Sequence, residues 1–200
     1  PDLPANVITT YGMTETFGGI AYNAMPLDGV EVRVRDEHID VRSPSLFRTY
    51  RGANTADLID GWYQTGDNGT FTNGVLHIFG RSDDMIISAG YNIAGPEVED
   101  MLLAHPGVAE CGVVGAPSAE RGQIVMAFVV LRSGHMGDAA MVSDLQNWVK
   151  QGIAAYKYPR AVVFVEALPR TENAKIQRFK LREWALELPS GVEEATRPAA

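Results

Sequence analysis

Apolar and polar positions alternate through the first two-fifths of the chain and then give way to longer, mixed periods. Val30-Glu31-Val32-Arg33-Val34-Arg35 alternates as a half-buried strand should, and residues 39–42 return antiparallel to it across Asp36-Glu37-His38. Residues 70–72 and 75–79 make a hairpin across Asn73-Gly74, a pair suited to a two-residue turn. Residues 6–10 read as a short strand that runs into a glycine-punctuated loop, Tyr11-Gly12-Met13-Thr14-Glu15-Thr16-Phe17-Gly18-Gly19. Gly66-Asp67-Asn68-Gly69 reads as a tight turn after the aromatic pair Trp62-Tyr63.

Past residue 94 helices enter. Gly95-Pro96-Glu97 opens one, with proline at the first helical position, Glu97 and Glu99 at the positive end, and Val98, Met101 and Leu102 on one face. Pro106-Gly107 ends it. Residues 108–115 and 123–132 are strands joined by a turn at 118–122, the second almost continuously apolar. Residues 139–152 form a helix with Met141, Leu145, Trp148 and Val149 inward; 161–165 make a third strand and 176–188 a last amphipathic helix. Residues 189–200, rich in Pro, Glu and Ala, read as a frayed tail. The pattern predicts a β-rich part followed by a compact α+β unit. Between them Gly80-Arg81-Ser82-Asp83-Asp84-Met85-Ile86-Ile87-Ser88-Ala89-Gly90 reads either as a polar connector or as a hinge with ligand-facing charges.

Composition narrows the function classes. Two hundred residues with 46% hydrophobic and 21% charged positions suit an ordinary globular protein with ample core. The longest apolar run, residues 125–131, has the length of a strand and not of a membrane span. A net charge of −8 argues against nucleic acid as a partner. The single cysteine and the absence of a signal-peptide pattern at Pro1-Asp2-Leu3-Pro4 point to a reducing, cytoplasmic setting. Cys111, mid-strand without a basic neighbour, reads as core, and the four scattered histidines have no ligand spacing. From 157 to 182 seven basic residues (Lys157, Arg160, Arg170, Lys175, Arg178, Lys180, Arg182) face two acidic ones, a local surface suited to a phosphate-bearing ligand. Lys180 and Arg182 read better as a solvated helix face with a few ion pairs.

The candidate chemistry lies in two loops. Tyr11 offers a ring to stack on a base, Thr14 and Thr16 offer hydroxyls, and Glu15 offers a hard oxygen for magnesium. Asp67 could accept from both hydroxyls of a ribose, or serve only its turn. No Gly-x-x-x-x-Gly-Lys-Ser/Thr loop, Gly-x-Gly-x-x-Gly or Gly-x-Ser-x-Gly elbow occurs.

Four stretches, in this order, resemble the adenylate-forming superfamily of acyl-CoA synthetases, aryl-acid CoA ligases, luciferases and adenylation domains. They are Tyr-Gly-Met-Thr-Glu-Thr at 11–16, Gly-Trp-Tyr-Gln-Thr-Gly-Asp at 61–67, Gly-Arg-Ser-Asp-Asp-Met-Ile at 80–86, and Leu-Pro-Arg-Thr-Glu-Asn-Ala-Lys-Ile-Gln-Arg at 168–178. The resemblance implies an α/β and α+β fold: the C-terminal part of a large adenylation domain over 1–81, then a small mobile domain over 82–188. It implies an ATP-dependent ligase with magnesium and coenzyme A, whose substrate is a carboxylic acid. By motif position Tyr11 and Gly12 would lie at the adenine, Thr14 at the phosphates and Glu15 at the metal. Asp67 and Arg81 would hold the ribose, Asp83 would be the pivot, Lys175 would serve adenylation, and Gly90 would line the pantetheine path.

The chain resembles the C-terminal two-fifths of such enzymes, so the remaining N-terminal part, with its phosphate loop, is expected to be needed. Ser-Ala-Gly-Tyr-Asn-Ile-Ala-Gly-Pro-Glu-Val-Glu looks most like benzoate and aminobenzoate CoA ligases, and Pro-Leu-Asp-Gly-Val like succinylbenzoate CoA ligases. Two alternatives stand beside a CoA ligase: an adenylation enzyme loading a separate carrier protein, and a non-catalytic C-terminal fragment. One departure from the family pattern is Ala174, where glycine usually precedes the lysine. Either φ is negative at 174, or Asn173 takes the left-handed conformation.

Overall fold

The computed structural model describes residues 8–51, 58–188 and 195–196. The chain divides into two compact units, Pro1–Asp83 and Asp84–Ala200.

The first unit is built from short antiparallel strands. β1 (Thr10–Met13), β2 (Gly18–Tyr22) and β3 (Met25–Pro26) form one sheet. A second contains β4 (Glu31–Arg35), β5 (His38–Arg42), β6 (Leu58–Ile59), β7 (Trp62–Thr72) and β8 (Val75–Arg81). β7 is its central member, with β5 on one edge and β6 and β8 on the other. Ile20, Ala21, Ile39, Val41 and Leu76 form the shared core.

Three readings of this part change. The strand expected over 6–10 has Asn6 and Val7 outside the described residues, and the expected loop is itself a hairpin. β1 and β2 flank one 3-10 turn, Thr14–Thr16. Glycines make that hairpin possible: a Cβ on Gly12 would stand 1.4 Å from the Gly18 carbonyl oxygen. The Gly-Asp-Asn-Gly segment is not a turn but the middle of β7, where φ is +76° at Gly66 and the register to β8 slips between Asn68 and Gly69. Partners on both edges keep the strand continuous, and the glycines absorb the bulge.

The 30–42 hairpin forms as expected. Asp36 and Glu37 both adopt positive φ (49° and 66°), the two-residue turn geometry that matches strand twist. Asn73-Gly74 does the same with a better-suited pair.

The second unit opens with the hairpin β9 (Ile86–Ser88) and β10 (Tyr91–Ile93), turned at Ala89-Gly90. Helix α1 (Gly95–Leu103) follows, then β11 (Val108–Ser118), β12 (Gly122–Leu131), α2 (Ala139–Gly152), β13 (Ala161–Phe164) and α3 (Arg178–Glu187). β12 lies at the centre, antiparallel to β11 and parallel to β13. Its continuous apolar run is explained by two buried faces. Val125, Ala127 and Val129 join Val98, Leu102, Leu145 and Val149 of α1 and α2 on one side. Met126 and Phe128 join Leu181 and Ala185 of α3 on the other.

Trp148, expected inward, lies at the surface with 36% of its area exposed, its indole N–H donating to the Met101 carbonyl at 2.9 Å. Val142 takes the buried place on α2. Cys111 is buried as expected, and burial pushes its thiol up to about 12. Of the tail, 189–194 and 197–200 lie outside the described residues, while Ala195–Thr196 form a two-residue strand, β14, parallel to β13. Among the described residues no helix is long and apolar enough to cross a membrane.

Candidate functional site

In the first unit the sheet brings together residues far apart in sequence. Asp67 and Arg81 are direct partners in the β7–β8 register. The Tyr11 hydroxyl donates to Asp67 Oδ2 at 2.6 Å, and Arg81 Nη1 lies 3.6 Å from Asp67 Oδ1. Arg81 is braced further by the Thr65 carbonyl at 2.9 Å and by Asp83 at 3.3 Å. The Thr65 hydroxyl accepts from the Asp67 backbone N–H and donates to the Ile39 carbonyl, tying the cluster to the buried face of β5. Gly66 leaves room for the guanidinium, since a Cβ there would meet Arg81 Nη2 at 3.0 Å. Burial, and then the bond to Asp67, raises the Tyr11 phenol well above its ordinary value, so it stays a proton donor.

Tyr11 also lines a cleft of about 890 Å³ in this unit, with Gly12, Thr14, Glu15, Phe17, Phe47 and Tyr50 among its walls. Glu15 sits mid-turn and receives the Tyr50 hydroxyl at 2.6 Å. Thr16, read as a ligand hydroxyl, is instead buried and bonds the Met13 carbonyl at 3.1 Å, so its role is to close the turn. Among the described residues no group of three or more His, Cys, Asp or Glu side chains could hold a metal by itself.

In the second unit Gly90 is exposed at the tip of the β9–β10 hairpin with φ +83°. Beside it Tyr91 stacks on Tyr156, ring centroids 4.4 Å apart. Lys175 is exposed, and among the described residues its ammonium has no hydrogen-bond partner. Its loop is a tight hairpin. Arg170 bridges Ile176, the Ala174 N–H bonds the Thr171 carbonyl, and the Thr171 N–H bonds the Lys175 carbonyl, both at 2.9 Å.

Neither expectation for this loop holds: Ala174 itself has φ +60°. A three-residue hairpin loop places its left-handed residue directly after the turn, and the bridge at 170–176 puts position 174 there whatever its side chain. Asn173 is one residue early. Ala174→Gly should therefore leave stability unchanged or raise it by up to about 1 kcal/mol, because relief of the left-handed strain is partly offset by glycine's unfolded-state entropy. Ala174→Val should lower it. Urea unfolding of both variants decides, and a clear loss in the glycine variant would refute the strain.

The basic run does not form an open phosphate surface. Lys157 pairs with Glu97 and Arg170 with Glu110, both at 2.6 Å, and Arg160 stacks over Tyr158. Arg178 grips Glu99 through both terminal nitrogens, and Arg182, half-exposed on α3, pairs with Asp84, in keeping with a solvated helix face that carries ion pairs. Arg178 Nε also lies 3.7 Å from Asp84. The sequence reading missed Tyr50, the Arg178–Glu99 pair and the Tyr91–Tyr156 stack. Only the Arg178–Glu99 pair left a trace, as a glutamate on the inner face of α1, one residue from Val98.

Residues 97–175 match the family described as the AMP-binding enzyme C-terminal domain. The chain is 40% identical over 132 residues to acetyl-coenzyme A synthetase of Bacillus subtilis, covering 66% of this chain and 23% of that protein. It is 35% identical over 201 residues to 2-succinylbenzoate–CoA ligase of Bacillus licheniformis, covering 88% and 41%. The crystal structure of the anthranilate CoA ligase AuaEII with anthranoyl-AMP superposes with a TM-score of 0.81 at 31% identity, over 90% of this chain and 40% of that one. The chain thus spans at most about two-fifths of these relatives. Family, relatives and fold agree: residues 97–175 are an AMP-binding enzyme C-terminal domain, and the chain as a whole resembles the C-terminal portion of adenylate-forming enzymes.

Proposed function

We propose that the full-length enzyme carrying this chain is an AMP-forming carboxylic acid–CoA ligase for an aryl or related hydrophobic acid. In the first half-reaction a carboxylate oxygen attacks the α-phosphorus of ATP and expels pyrophosphate. In the second the CoA thiol sulfur attacks the acyl carbon and expels AMP. The observation that carries this reading is the Tyr11–Asp67–Arg81 cluster beside the Thr14–Glu15 cleft. A ribose diol needs an oriented acceptor next to a cationic donor, and Asp67 and Arg81 supply both. Tyr11 and Gly12 then flank the adenine.

Glu15 fits magnesium as a single carboxylate, because that ion is commonly held by one or two carboxylates together with substrate phosphates. When bound, the ion supplies charge neutralisation at the phosphates. Thr14 lines the same cleft and can donate to a phosphate oxygen. Lys175 contributes a cation that offsets the repulsion between the attacking carboxylate and the α-phosphate and the charge developing on the α-phosphate oxygens. The second half-reaction has no use for that ammonium but needs an open path for the thiol, which Gly90 borders. Asp83 is the last residue of the first unit and serves as the pivot between the two arrangements. The aryl preference draws on the anthranilate and succinylbenzoate ligases among the relatives.

Nucleotide binding tests the reading. Asp67→Ala should weaken AMP and ATP equally, by about 1–3 kcal/mol for a charge-assisted hydrogen bond, because both carry the same ribose. Calorimetry on the full-length enzyme decides, and unchanged AMP affinity would reduce Asp67 to a partner of Tyr11 alone.

A further inference from the structure

Glu15, half-buried on a one-turn helix, is held at both its backbone and its side chain. Its backbone carbonyl accepts from the Phe47 N–H at 2.7 Å. Its carboxylate Oε1 accepts from the Tyr50 hydroxyl at 2.6 Å. Since Tyr50 spends its only proton on Glu15, its oxygen can only accept from Tyr63, whose hydroxyl lies 3.2 Å away. The direction of the relay is thereby fixed: Tyr63 donates to Tyr50, and Tyr50 donates to Glu15. Phe47 locks both phenols, with ring centroids 4.7 Å from Tyr50 and 5.4 Å from Tyr63. Tyr50 and Phe47 line the same cleft as Thr14 and Glu15.

Geometry of this kind matters for a cation ligand. A glutamate on a surface turn samples several rotamers and must surrender that freedom when it binds an ion. One oxygen of Glu15 is already tied, and among the described residues Oε2 has no hydrogen bond. A hydroxyl behind a ligating carboxylate orients it without competing for the ion, and such outer contacts commonly govern metal affinity.

We infer that Tyr50, backed by Tyr63 and Phe47, is a positioning residue that presets the Glu15 carboxylate for the magnesium ion travelling with ATP. This rests on the proposed role of Glu15, and the test separates the two claims. Tyr50→Phe keeps the ring and its packing on Phe47 and removes only the hydroxyl. Manganese serves as a paramagnetic stand-in, and binding of Mn²⁺–ATP to the full-length enzyme is followed by electron paramagnetic resonance. Metal-free AMP binding is measured in parallel by calorimetry with a chelator present. Tyr50→Phe should weaken Mn²⁺–ATP by roughly tenfold, the lower end of the range for outer-contact mutations, and leave AMP unchanged. Glu15→Gln should weaken Mn²⁺–ATP at least as much, and adding Tyr50→Phe to it should bring little further loss. If Glu15→Gln weakens the metal complex while Tyr50→Phe does not, the positioning role is wrong and the metal role stands. If Tyr50→Phe weakens AMP as much as Mn²⁺–ATP, its effect is general to the cleft and the inference fails. If Glu15→Gln itself binds Mn²⁺–ATP normally, both claims fall together.

Discussion

Lys175→Ala in the full-length enzyme should lower the rate of adenylation by roughly 10²- to 10³-fold, the cost of removing one preorganised charge-stabilising donor. CoA attack on a supplied acyl-adenylate should stay within a few-fold of normal. The asymmetry follows from where the ammonium can act. In the proposed role it would offset the repulsion between the incoming carboxylate and the α-phosphate and the charge that builds on the α-phosphate oxygens as pyrophosphate leaves, and thioester formation from the adenylate has no such demand. The proposal draws on one observation. Among the described residues the Lys175 ammonium is exposed and unpaired, while four neighbouring basic side chains are committed to carboxylates. Pyrophosphate release reads the first step, and thiol consumption in a single turnover reads the second. A variant that still adenylates at near the normal rate, or loses both steps equally, would remove Lys175 from the proposed chemistry.

Arg178→Met should destabilise the second unit by about 3–5 kcal/mol, because it strands the Glu99 carboxylate in the core. Only 10% of the Glu99 side chain is exposed, and without Arg178 its remaining donor among the described residues is the Val113 N–H at 2.7 Å. That unsatisfied charge is the main cost, so pairing Arg178→Met with Glu99→Leu should recover most of the stability. Arg182→Met, which breaks a pair 37% exposed on the arginine side, should cost far less, about 1 kcal/mol or below. Urea unfolding of the four proteins provides the check. If Arg178→Met lies within 1 kcal/mol of the unaltered protein, the ion pair is not the buried anchor described above. The anchor has a bearing on function as well. Arg178 follows Lys175 by three residues, and Arg170, five before it, is tied to Glu110. The lysine loop therefore sits between two arginine–glutamate fastenings.

Much of this protein was legible in its local pattern. The β-rich start, the 30–42 and 70–79 hairpins, helices near 95 and 139 and the doubly buried strand at 122–131 follow from period, turn chemistry and apolar runs, which are local properties. So does the glycine-assisted turn at Asn73-Gly74. Motif order supplied the superfamily and the candidate residues Tyr11, Glu15, Asp67, Arg81 and Lys175.

What tertiary structure alone decided is who pairs with whom. Gly66-Asp67-Asn68-Gly69 has the composition of a turn, yet strands on both edges of β7 hold it extended, and that extension sets Asp67 opposite Arg81. Ala174 carries a positive φ that its side chain resists, because the hairpin register assigns the conformation to its position. The basic run from 157 to 182 promised an open cationic face, but its partners Glu97, Glu99, Glu110 and Asp84 lie 60 to 98 residues away along the chain. Charge pairing over such distances leaves no mark on local sequence, since it depends on which faces of α1, β11 and α3 the two-sided core brings together. Tyr50 and Glu15, 35 residues apart, meet for the same reason. Local sequence sets where strands and helices begin; the packing of their apolar faces sets which polar groups are left facing one another.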